Sequence, residues 1–254
     1  MLSVEITPSP MYDKLVQIFP RSVHPNTITL CGGVFAILSN FALFNDWRWS
    51  GFVLFTLYHM FDNMDGKHAR RTKQTSEFGA ILDHFVDGTA GIWSGAVALQ
   101  YYLNINNAVL TLGVWGFTFL FWVVHSVHAI TGYFEMGNDY VSIDEIFILL
   151  SLIRLLYAMD ISAPKLLLQQ DNHWLLVISI FLAGFAWLFI NGVPRFTHAN
   201  LSRNWIIFAS YAVYVFVSYF VLTNLVSAEN GPVAVLVMFT VPYGVALWES
   251  KDKH

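Results

Sequence analysis

Charge is what this chain has least of: Asp, Glu, Lys and Arg make up 12% of its 254 residues, about half the share in an ordinary soluble domain. With 56% hydrophobic and 17% aromatic residues, that scarcity excludes a soluble domain of this size and predicts an integral membrane protein. Cysteine is almost absent too. The single thiol, Cys31, excludes an internal disulfide framework, and its place in an apolar run predicts a small buried side chain. No feature suggests nucleic-acid binding. The formal net charge of −4 says little about partners, because the charges sit at segment ends. The opening MLSVEITPSPMYDK carries Glu5 and Asp13 and no apolar core, so no cleavable signal peptide is expected and the first span leads insertion. Without linkers, low-complexity tracts or short-period repeats, residues 1–254 are expected to form one all-α bundle.

What is present is a series of apolar runs. Met11 to Phe19 alternates apolar residues with Asp13, Lys14 and Gln17, which predicts an amphipathic helix too short to span and suited to a membrane surface. Pro25-Asn26-Thr27 opens the first span, which reaches Asn45, and Trp49 to Phe61 is the apolar part of the second. Thr75 and Ser76 are the caps available to a third helix over Glu77–Leu103. No formal charge occurs from Gly88 to Phe134, enough for the third and fourth spans on either side of Asn104-Ile105-Asn106-Asn107. His125 and His128 fall on the fourth and read as structural or cavity-lining rather than as ligands. Ile146 to Ala158 gives a short fifth span around Arg154, for which snorkelling is the expected fate and a buried phosphate the alternative. Trp174–Val193, Trp205–Ala228 and Pro232–Trp248 bring the total to about eight. Lys14, Arg21, Lys67, Arg70, Arg71, Lys73, Arg195, Arg203, Lys251 and Lys253 then share one side, against Arg48 and Lys165 opposite, which places that side in the cytosol.

Against this background Asp62 to Asp87, DNMDGKHARRTKQTSEFGAILDHFVD, stands out. Asp62 and Asp65 are three apart and Asp83 and Asp87 four apart, so each pair shares a helix face. Four carboxylates at membrane depth need a counter-charge, and oxygen-only donors favour magnesium, manganese or calcium over zinc. Gly66, Ala69 and Gly79 leave room beside them for backbone or a flat ligand. Gly79, Asp83, Asp87, Gly91 and Gly95 recur every four residues, and Gly91-Ile92-Trp93-Ser94-Gly95 is a GxxxG pattern that reads as helix packing.

Asp62, then Asp65-Gly66-x-x-Ala69-Arg70, then Gly79, Asp83 and Asp87, resembles the signature of the CDP-alcohol phosphotransferases, with all eight fixed residues filled over twenty-six positions. Those membrane enzymes move a phospho-alcohol from a CDP carrier to a hydroxyl and release CMP. The resemblance implies two divalent ions, Mg2+ or Mn2+, on Asp62, Asp65 and Asp83, with Asp87 as general base and a further metal contact. Gly66, Ala69 and Gly79 would admit the cytidine nucleotide, Arg70 would meet phosphate, and Asn26 would lie near the nucleotide, a plain helix cap being its alternative. DGKHARRT, LDHFVD and VSIDEIF look most like the eukaryotic choline and ethanolamine phosphotransferases, which implies a CDP-alcohol donor and a diacylglycerol acceptor. It also implies an endoplasmic reticulum or Golgi membrane in a eukaryote, and a homodimer. That branch has more spans than this chain has room for.

Three other readings compete. The same signature serves transfer of a phosphatidyl group from CDP-diacylglycerol to inositol, serine or glycerol phosphate. A cation channel or transporter would put acidic residues on several spans, which the fourth, sixth and seventh lack. A salt-bridged turn, the aspartates pairing with Lys67, Arg70, Arg71 and Lys73, would not require small residues at fixed places.

Overall fold

The computed structural model describes residues 10–103 and 143–161, which are helical apart from short turns and contain no strand. α1 (Pro10–Leu15) and a single 3-10 turn (Val16–Ile18) occupy the expected amphipathic stretch, with Val16 buried and Met11 and Ile18 exposed. This segment is fastened to the end of a later helix. Lys67 Nζ donates to Asp13 at 2.7 Å, Arg71 donates to the Phe19 carbonyl, and Phe19 meets Phe61 edge-on at 5.4 Å.

α2 (Pro25–Phe44) starts where its sequence dictates. Pro25 sits in the first turn, where a missing N–H costs nothing, and the His24 ring accepts from the Asn26 N–H at 3.2 Å. Among the described residues it is the one helix long and apolar enough to cross a membrane. Leu30, Val34, Ile37, Leu38, Phe41 and Phe44 form its exposed side. Cys31 is exposed as well, contrary to the sequence expectation. In a helix apolar all round, apolar neighbours do not mark the inward face.

After a turn in which Asp46 takes a left-handed φ of 57°, α3 (Arg48–Thr72) runs back along α2. The contacts fix the antiparallel register: Leu43 against Gly51, Phe61 against Gly32, Asp65 against Thr29. Lys73, left-handed at φ 59°, closes α3. α4 (Glu77–Val86) opens on Ser76, whose Oγ accepts the Gly79 N–H at 3.0 Å, so Ser76 rather than Thr75 is the cap. One π-helical turn (Asp87–Gly91) joins α4 to α5 (Ile92–Leu103). α6 (Ile143–Ala158) packs antiparallel to α3, with Phe147 on Tyr58 at 5.4 Å and Tyr157 under Arg48 at 4.5 Å. Its Phe147 and Leu150 are the neighbours of Gly91 and Gly95, so the small-residue pair does serve helix approach.

Arg154 on α6 does not snorkel. Its side chain is 1% exposed, donates from Nη2 to Asn40 Oδ1 at 3.1 Å and to the Ser94 carbonyl at 2.6 Å, and lies 4.5 Å over the Phe55 ring. Polar groups on α2 and α5 hold it inside. These helices coincide with the first, second, third and fifth expected spans. The fourth, with His125 and His128, and the sixth to eighth lie outside the described residues.

Candidate active site

α3 and α4 meet with their acidic faces together. Carboxylate oxygens of Asp62, Asp83 and Asp87 all lie within 4.8 Å of one another. Asp65, one turn further along α3, is buried, accepts a hydrogen bond from Thr29 Oγ1 on α2, and comes within hydrogen-bonding reach of Asp83. Asp62 is in the same relation to Asp87. The Tyr58 hydroxyl donates to Asp87 Oδ1 at 2.7 Å. Asp83 Oδ1 is buried with no hydrogen-bond partner among the described residues. Carboxylates this close repel unless a proton or a cation lies between them.

The basic run does not supply that cation as a salt-bridged turn. Lys67 pairs with Asp13 and Arg71 with the Phe19 carbonyl, both on the N-terminal segment. Arg70 is exposed and folds back over Gly66. An oxygen-only donor set with a bare buried oxygen suits a hard divalent cation such as magnesium or manganese. The close group is Asp62, Asp83 and Asp87, with Asp65 joined through Asp83, so Asp87 sits among the ligand oxygens rather than apart from them.

The small residues differ in what they clear. A Cβ on Gly79 would stand 3.0 Å from Asn26 Oδ1 and 3.1 Å from Ser76 Oγ, so glycine lets α4 start close against the first turn of α2 without crowding either side chain. Asn26 Oδ1 thus lies beside Gly79 in the first turn of α4, and since His24 caps α2, its carboxamide is not the helix cap. Gly66 is different: a Cβ there would meet Arg70 Nη1 at an ordinary 3.5 Å, so no atom among the described residues requires glycine. Ala69, half-buried, lies one turn beyond Asp65 on the same face of α3.

The π-helical turn is where the structure departs from the expected straight stripe. One residue inserted into the helical repeat rotates everything after it by about 100° relative to a continuous helix. Asp87 therefore starts a turn of its own, and Gly91, at its end, lies beside the Tyr58 ring. Two residues that hold the aspartates, Tyr58 and Thr29, escape a reading of the motif alone. Tyr58 had a local signal, since it precedes Asp62 by four and so shares its face. Thr29 had none, its partner being on another helix.

Residues 22–185 match the family model described as CDP-alcohol phosphatidyltransferase. Choline/ethanolaminephosphotransferase 2 of Arabidopsis thaliana is 34% identical over 131 residues, which is 46% of this chain and 31% of that protein. Choline/ethanolaminephosphotransferase 1 of the same plant is 36% identical over 92 residues, 32% of this chain and 24% of its own length. Phosphatidylinositol phosphate synthase of Cutibacterium acnes is 35% identical over 105 residues, 40% of this chain and 48% of that protein. The matched stretch thus spans a quarter to a third of the plant relatives.

Proposed function

The chain belongs to the CDP-alcohol phosphatidyltransferase family, and from that premise we propose that it transfers phosphocholine or phosphoethanolamine from a CDP-alcohol to diacylglycerol, releasing CMP. The observation that carries this reading is the convergence of Asp62, Asp83 and Asp87 within 4.8 Å, beside two glycines and an exposed arginine. In the reaction the diacylglycerol oxygen bonds to the β-phosphorus, the bond from that phosphorus to the bridging oxygen breaks, and the electron pair leaves on CMP. The hydroxyl proton passes to Asp87, whose Oδ1 accepts a hydrogen bond from the Tyr58 hydroxyl. Two divalent ions, Mg2+ or Mn2+, held by Asp62, Asp65, Asp83 and Asp87 would neutralise the pyrophosphate and the developing charge on CMP. Arg70, free to swing, meets a phosphate oxygen, and Gly66, Ala69, Gly79 and Asn26 form the edge against which the nucleotide lies.

This reading places the chain in a bilayer, with the exposed apolar side of α2 toward lipid and the aspartates opening to the cytosol, where a CDP-alcohol is soluble. The endoplasmic reticulum or Golgi and a homodimer belong to the same proposal.

The likeness to a phosphatidylinositol phosphate synthase favours one second reading, phosphatidyl transfer from CDP-diacylglycerol to a polar alcohol. A phosphorylated acceptor would call for a further basic residue beside the aspartates. Arg154 does not serve: it hydrogen-bonds Ser94, seven residues past Asp87, which is about 10 Å along the helix. The deciding experiment gives purified protein both donor classes with labelled acceptors. Product from CDP-choline or CDP-ethanolamine with diacylglycerol supports the proposal, and product from CDP-diacylglycerol alone transfers it to the second reading.

A further inference from the structure

The stretch that leads into α2 turns a mixed face outward. Met11 is 55% and Ile18 74% exposed, Lys14 and Arg21 are exposed with them, and the four follow one another at spacings of three, four and three residues. Val16 points the other way and is buried, while Phe19 is half-buried against Phe61 and His68. Asp13 is the one acidic residue between positions 10 and 25, and Lys67 Nζ holds its carboxylate at 2.7 Å. What the face offers outward is therefore apolar and basic. It is also held in shape: Arg71 donates to the Phe19 carbonyl, and the buried His68 donates from Nε2 to the Val23 carbonyl at 2.9 Å. All three fasteners, Lys67, His68 and Arg71, stand on α3. The exposed apolar side of α2 begins at Leu30, so this stretch precedes the lipid-facing surface directly and lies at headgroup level.

We propose that Met11, Lys14, Ile18 and Arg21 form a docking face for anionic lipid headgroups, with the two apolar side chains in the acyl boundary and the two cations at the phosphates. The proposal rests on the bilayer placement above and is independent of the substrate. A basic residue at a membrane surface favours anionic lipid by about fivefold, and its apolar stem lies along the boundary while the charge stays at the headgroups. The six residues of α1 alone would not hold a helix in water. Fastened to α3, they present the face already ordered, so little chain entropy opposes the contact.

The test uses the full chain with Cys31→Ser in nanodiscs of mixed phosphatidylcholine and phosphatidylserine. A fluorophore is carried on Ile18→Cys or, as a reference on the exposed side of α2, on Val34→Cys. Quenching by phosphatidylserine spin-labelled on its acyl chain is compared with quenching by phosphatidylcholine labelled in the same way. At position 18 phosphatidylserine should quench as if locally enriched about fivefold or more, and at position 34 the two lipids should quench alike. Lys14→Gln combined with Arg21→Gln should bring the ratio at position 18 to about one, and high salt should lower it in the unsubstituted face. The melting temperature should not change, because both side chains are exposed. A ratio of about one with Lys14 and Arg21 in place overturns the proposal, as does an enrichment that survives their substitution. Quenching at position 34 with none at position 18 overturns the docking face and leaves the bilayer placement standing. If neither lipid quenches at position 34, the bilayer placement fails and the docking face fails with it.

Discussion

Two buried polar sites lie on the same helices, about 10 Å apart, and are built in opposite ways: Phe55 precedes Asp62 by seven residues and Ser94 follows Asp87 by seven. The upper site gathers the carboxylates of Asp62, Asp83 and Asp87 within 4.8 Å, and one of their oxygens, Asp83 Oδ1, has no hydrogen-bond partner among the described residues. The lower site is a single cation, Arg154, that meets an amide, a backbone carbonyl and an aromatic face but no carboxylate among the described residues. Its Nε and Nη1 have no hydrogen-bond partner among the described residues. A chain selected only for stability would let these charges neutralise one another in a pair. Keeping them apart leaves the aspartates able to take an external cation, while the arginine, spoken for by α2, α3 and α5, ties the helices that carry them.

The largest effect should come from breaking the upper site. Asp87→Asn is expected to lower turnover by about a thousandfold, as loss of a general base does, while magnesium-supported nucleotide binding largely persists on the other three aspartates. Calorimetry with the CDP-alcohol and magnesium checks this. Loss of binding together with activity would make Asp87 chiefly a ligand and undo the division of roles. Chelation should remove activity altogether, with magnesium or manganese restoring it and calcium restoring it poorly, because its looser coordination orients phosphates less well. Equal rescue by calcium would argue against a tightly ordered phosphate geometry.

The lower site should fail differently. Arg154→Met leaves the Asn40 and Ser94 oxygens without their donor and is expected to cost about 2–4 kcal/mol of stability, with turnover per folded molecule close to wild type. Thermal denaturation beside an activity assay separates the two quantities. A variant that melts normally but has lost turnover would show that Arg154 acts on the reaction, and the contrast between the sites would fall.

How much of this was legible in the sequence depends on the distance between partners. The motif aspartates, the Ser76 cap and the helix over Ile146–Ala158 follow from spacings of three or four residues, which the helix repeat converts directly into a shared face. Arg154 could be seen as an anomaly, but its fate could not, because Asn40 and Ser94 are 114 and 60 residues away. Cys31 went wrong for the opposite reason: in a uniformly apolar helix the sequence carries no periodic signal of which side faces in. The π-helical turn was hidden too, since DGTAG carries no proline or other marker of a changed helical repeat.

The smallest effect sharpens the comparison through a second arginine. Arg48, at the opposite end of α3 from the motif, has what Arg154 lacks: Asp46 at 2.7 Å and Asp160 at 2.6 Å, with Tyr157 stacked beneath. It is also open to water, its side chain 30% exposed. The hydrogen bond from Arg48 holds the Asp46 carboxyl below its ordinary value of 3.8. A carboxyl depressed by folding adds stability above its unfolded pKa, and that contribution is lost as pH falls through the folded value. The melting temperature of Asp46→Asn should therefore lie slightly below wild type from pH 7 to 5. The gap should close only below about pH 4, and added salt should narrow it at any pH because the pair is screened. Arg154, facing neutral partners away from solvent, should show neither dependence in the Arg154→Met comparison. A wild-type advantage over Asp46→Asn that survives unchanged to pH 3 in high salt would mean that the turn between α2 and α3 is held by its left-handed backbone and packing, with the ion pair a bystander.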